Sequence, residues 1–100
     1  MPKVKMGSIA ELATGSALEK RILARRVAVV NDNGTLYAIE ADCKHMKASL
    51  ATGRVVNGTV TCRWHGWKYD LATGACLTND RFALKTYRVE LVDDTVYVHI

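Results

Sequence analysis

Long apolar runs are missing from this sequence. The longest, such as Val27-Ala28-Val29-Val30, cover only a few residues, whereas a membrane-crossing helix needs about 20. No extended apolar segment precedes a small-residue cleavage site near the start, so no export leader is expected and the expected compartment is the cytoplasm. An even cysteine count is missing too. Three cysteines cannot all pair among themselves, which in an unexported chain argues against a disulfide scaffold and makes metal chemistry the better explanation. Basic tracts are also absent: 14 Lys and Arg are scattered among 10 acids, with Arg25-Arg26 the longest cluster. The net charge of +4 therefore does not point to nucleic acid; a mild positive excess instead speeds encounter with an acidic protein partner. There is no linker, repeat or low-complexity tract, and 100 residues suit one core, so a single domain over residues 1–100 is expected.

The residues present are ordinary for a compact chain, 49% hydrophobic and 24% charged, which indicates neither disorder nor a fibrous class. Strand signals are broken by turns. Arg26 to Asn31 and Thr35 to Glu40 flank Asp32-Asn33-Gly34, where Asn-Gly supplies the positive φ angles of a tight hairpin. Val55-Val56 and Thr59 to Thr61 flank Asn57-Gly58, and Arg88 to Val92 and Thr95 to Ile100 flank Asp93-Asp94, predicting two more hairpins. Short strands joined this way predict an all-β sandwich or barrel. Ser8 to Leu12 suits one helical turn capped by Ser8, Leu71 to Gly74 reads as a turn, and Asn79 to Arg81 as loop.

The informative feature is Cys43-x-His45, then sixteen residues, then Cys62-x-x-His65. Each half puts a thiol and an imidazole together at the end of a predicted strand, where a loop can bend both toward a common point. Gly66 permits close backbone approach. Two tips that each offer sulfur and nitrogen suit one tetrahedral zinc ion or a two-iron cluster with sulfur on one iron and nitrogen on the other, and the spacing alone does not choose. Cys76 has no matching His or Cys nearby and is expected to be a buried, inert thiol. His99 alternates with Val96, Val98 and Ile100 on a predicted strand and should point to its polar face.

Cys-Lys-His at 43–45 and Cys-Arg-Trp-His-Gly-Trp at 62–67 resemble the two boxes of Rieske iron–sulfur proteins. The likeness runs on through Trp67-Lys68-Tyr69-Asp70-Leu71-Ala72-Thr73-Gly74, similar to the family's turn after its second box. The resemblance implies one [2Fe-2S] cluster, with Cys43 and Cys62 on the inner iron and His45 and His65 on the outer, solvent-facing iron. The implied fold is an antiparallel β sandwich of three small sheets, with the cluster-binding loops at one tip.

Charge counting follows from that ligand set. Two thiolates cancel the charge of two ferric ions and two sulfides, leaving the oxidised site neutral, whereas four thiolates leave it dianionic. An added electron then meets less repulsion than in a four-cysteine ferredoxin. Reduction raises the proton affinity of each imidazole's second nitrogen, so the potential should fall with rising pH once an oxidised-state histidine loses its proton.

Departures from the high-potential relatives place the chain in the low-potential, ferredoxin-like class. Their disulfide cysteines align with Ala48 and Trp64, and their second-box serine with Trp67. Tyr69 sits where those relatives place a hydroxyl donor; its phenol either raises the potential slightly or only packs its ring. The proline-rich cover loop of many relatives is missing, since Pro2 is the only proline and Asn79-Asp80-Arg81 occupies that region. Trp64 and Trp67 are expected to cover the cluster, the alternative for Trp64 being a docking anchor. Lys44, Lys47, Arg63 and Lys68 lie on or beside the cluster loops, where they would attract acidic patches.

The function expected from the resemblance is that of a ferredoxin carrying single electrons between a reductase and a terminal enzyme such as an oxygenase, with no membrane or nucleic-acid partner. It is not expected to be an enzyme. Rieske oxygenases add a catalytic iron held by two histidines and a carboxylate, whereas here only His99 remains and no space is left for a catalytic domain. The alternatives are a zinc-ribbon-like structural module and a small Rieske-like subunit of a larger oxidoreductase.

Overall fold

The computed structural model describes residues 3–43, 49–64 and 66–100. Among the described residues nine strands follow in chain order: β1 (Lys3–Ser8), β2 (Ala17–Ile22), β3 (Arg25–Asp32), β4 (Thr35–Glu40), β5 (Arg54–Val56), β6 (Thr59–Thr61), β7 (Lys68–Asp70), β8 (Thr86–Val92) and β9 (Thr95–His99). All strand pairs are antiparallel. They form three small units: β2-β3-β4, β1-β9-β8 and β5-β6-β7. The first two join through a short pairing of β4 with β8, Ala38 opposite Tyr87 and Ile39 opposite Thr86, giving one six-stranded sheet beside the three-stranded one. The all-β expectation holds.

The three expected hairpins form. Asn33, Asn57 and Asp93 each take φ near +50°, and Gly34 and Gly58 follow their asparagines at +96° and +77°. This is the left-handed backbone that two-residue hairpins need to match strand twist. Ser8 caps a single 3₁₀ turn, Ile9–Glu11, its hydroxyl accepting from the Ala10 amide. Three strands carry no expectation from the sequence: β1, β2 and β7. A fourth hairpin, β2 to β3, turns through Leu23, which has φ +58° and is 90% exposed.

β3 divides the interior. Its residues alternate between two faces, and both are covered, so Val27, Ala28, Val29 and Val30 are all buried. Val27 and Val29 face a core with Leu12, Ala38, Val96 and Val98. Ala28 and Val30 face the other core, which holds Ile39, Leu50, Val60, Tyr69, Leu71, Leu84 and all three cysteines. The apolar run that is too short for a membrane is thus the wall between two cores. His99, as expected, lies off the buried face of β9; its Nε2 is 2.7 Å from Glu90 Oε1.

Candidate metal centre

Cys43 and Cys62 arrive from different sheets. Cys43 follows β4 by two residues, Ala41 and Asp42, and is fully buried. Cys62 follows β6 directly and is 2% exposed. Both belong to the core on the Ala28 and Val30 side of β3.

The turn after Cys62 closes tightly. The Cys62 amide donates to the Trp67 carbonyl at 2.7 Å, and the Gly66 amide to the Cys62 carbonyl at 3.1 Å. Gly66 has φ +71°, so the conformational freedom expected of it is used at the turn itself.

Tyr69, fully buried on β7, places its phenolic oxygen 3.3 Å from Cys43 Sγ. Its ring packs in the same core, so Tyr69 both fills the interior and brings its hydroxyl to a cysteine sulfur. Cys76 is buried alongside, with its Sγ accepting from the Asn79 amide at 3.4 Å, in keeping with a structural thiol. The two tryptophans separate. Trp67 packs partly buried against this core with its ring 5.6 Å from that of Phe82, the residue that follows Asn79-Asp80-Arg81. Trp64 instead is 68% exposed.

Pro2, Lys44, His45, Lys47, Ala48 and His65 lie outside the described residues. Among the described residues no group of three or more His, Cys, Asp and Glu side chains forms a metal site; two of the four expected ligands are not among them.

The cysteines fit an iron–sulfur group. Thiolates are costly to bury unless a cation takes their charge, and soft sulfur donors at the ends of two loops are the ligands that iron–sulfur clusters use. A phenol in reach of one sulfur supplies the outer hydrogen bond that tunes such a ligand.

Comparison with known proteins agrees. Human apoptosis-inducing factor 3 is 30% identical over 91 residues, 90% of this chain and 15% of that protein. Curated relatives of this kind are much longer, the chain spanning between 10% and 27% of their length. The structure of the Sphingomonas yanoikuyae B1 ferredoxin superposes with a TM-score of 0.88 at 25% identity, covering 99% of each chain. A chain in the complex of reduced oxygenase and oxidized ferredoxin of carbazole 1,9a-dioxygenase superposes with a TM-score of 0.87 at 26% identity, covering 96% of this chain and 91% of that one. The family model of the Rieske [2Fe-2S] domain, whose cofactor is a single [2Fe-2S] cluster, matches residues 3–88. With two buried cysteines at the loop ends and this match over most of its length, the chain belongs to the Rieske [2Fe-2S] domain family.

Proposed function

We propose that the chain is a one-electron carrier, a Rieske-type ferredoxin working in the cytoplasm as one domain between a reductase and a terminal enzyme such as an oxygenase. Cys43, His45, Cys62 and His65 hold its cluster in this reading, the cysteines on one iron and the histidines on the other. The observation that carries it is the meeting of Cys43 and Cys62 in one core, next to a turn whose Arg63 and Trp64 are exposed. The likeness to a ferredoxin over 99% of each chain supports it. Among the described residues no helix is long and apolar enough to cross a membrane.

When bound, the cluster supplies a one-electron couple that neither thiol nor imidazole has alone. Cys43 and Cys62 give up their protons to bind as thiolates. Tyr69 then donates to the Cys43 sulfur, which has no proton left to give.

A surface for the partner lies close by. Arg54, Val56, Thr59, Thr61, Lys68 and Leu77 line a groove of about 610 Å³ on the outer face of the β5-β6-β7 sheet. Val56 and Leu77 are exposed apolar side chains, Arg54 and Lys68 are exposed cations, and no acid lines the groove. That combination suits a partner patch bearing carboxylates around an apolar centre. Stopped-flow transfer from the reduced protein to a terminal oxygenase tests this. The rate should fall steeply as salt screens the encounter, and a rate independent of ionic strength would remove the acidic-patch reading.

A further inference from the structure

The loop that carries Cys43 is closed at its base by a ring of polar contacts. Asp42, immediately before Cys43, and Ser49 oppose each other as an antiparallel bridge. The Leu50 amide donates to the Ala41 carbonyl at 2.6 Å beside it. From this base the side chains reach outward. The Asp42 carboxylate accepts a hydrogen bond from the Arg26 guanidinium. Arg26 Nη1 lies 3.9 Å from Glu19 Oε2, and Glu19 Oε1 accepts from the Ser49 hydroxyl. The ring therefore leaves the loop at its entry, crosses β3 and β2, and returns at its exit.

Strand register places these residues. Glu19 pairs with Ala28, which puts it diagonally across from Arg26, within reach of a long side chain. The residue directly opposite Arg26 is Arg21, a like charge, so Glu19 and Asp42 offset a repulsion as well as making the ring. Arg26 can serve both carboxylates because its guanidinium has five donors in a planar fork.

We propose that Arg26 is a positioning residue for the cluster: through Asp42 and through Glu19 and Ser49 it fixes both ends of the loop and so holds Cys43 in place. This rests on the reading of Cys43 as a cluster ligand. Arg26 has an electrostatic effect besides. It neutralises a carboxylate one residue from Cys43, and without it that negative charge opposes an incoming electron.

The test compares the purified protein with Arg26→Met, Arg26→Lys and the double variant Arg26→Met/Asp42→Asn. Amide hydrogen exchange at Leu50 reads the loop base whether or not metal is bound. Loss of visible absorbance under a chelator reads retention of the cluster, and a redox titration reads the charge. Arg26→Met should speed Leu50 exchange and bleaching about five- to thirtyfold, while exchange at Val29 in the β3 core stays unchanged. Arg26→Lys should recover part of the loss. The potential should fall in Arg26→Met and return toward the wild-type value in the double variant, a restoration that a purely structural role would not produce.

Unchanged Leu50 exchange would overturn the proposal, as would equal acceleration at Val29 or a potential that Asp42→Asn fails to restore. A wild-type protein without iron would instead defeat the ligand reading, and with it the proposal's claim on the cluster, even if the exchange result stood.

Discussion

Replacing Tyr69 by Phe removes one oxygen from a fully buried ring and leaves the packing surface in place. That oxygen is 3.3 Å from Cys43 Sγ. A hydrogen bond to a charged acceptor contributes about 1.5–3 kcal/mol, but the bond exists in both redox states and only its strengthening on reduction moves the potential. If the added electron increases it by about a third to a half, the difference is roughly 0.5–1.5 kcal/mol. For a one-electron couple, about 59 mV corresponds to a tenfold change, or 1.36 kcal/mol, so Tyr69→Phe should lower the potential by about 20–65 mV. Optical redox titration of the two proteins in one buffer measures this directly. Equal potentials, or a higher one in the variant, would mean that the contact of the phenol with the sulfur does not strengthen on reduction and that Tyr69 does not tune the couple.

Three further outcomes follow from other parts of the structure. Gly74 has φ +81°, and a Cβ there would sit 2.2 Å from the Leu84 carbonyl oxygen, so Gly74→Ala should cost about 2–4 kcal/mol in denaturant unfolding. The hydrogen bond from His99, together with Lys3, holds the Glu90 carboxyl below its ordinary value of 4.5. A carboxylate with a lowered folded value adds stability above its unfolded value and loses it as pH falls through the folded one. Glu90→Gln should therefore melt lower than wild type near neutral pH, with the gap closing in melts below pH 4.5. Trp64 is mostly exposed, so Trp64→Ala should change stability by no more than about 0.5 kcal/mol yet slow transfer to the partner at limiting concentration by tenfold or more, on the order of a docking anchor's 2 kcal/mol.

Local chemistry made part of this fold legible. Asn33-Gly34, Asn57-Gly58 and Asp93-Asp94 are the residues that tolerate a left-handed turn, and each hairpin formed where they stand. The β2–β3 hairpin carries no such mark, because Leu23 holds φ +58° without a Gly or Asn. β2 itself, Ala-Leu-Glu-Lys-Arg-Ile, is mostly made of good helix formers and becomes a strand through its pairing with β3 along its whole length. In the centre, the burial of Cys43 and Cys62 in one core is consistent with what their short spacing to histidines suggested, and a place for the Tyr69 hydroxyl near the centre was foreshadowed by the family resemblance. The Glu19–Arg26–Asp42 ring was not, since its members meet through strand register and no local pattern joins positions 19, 26 and 42.

The most direct test of the cluster assignment is an electron paramagnetic resonance spectrum of the purified protein after dithionite reduction, with iron, zinc and acid-labile sulfide measured on the same sample. A rhombic signal whose average g lies below the free-electron value, with iron equal to sulfide, is the predicted result. A colourless, silent sample holding one zinc per chain would contradict it.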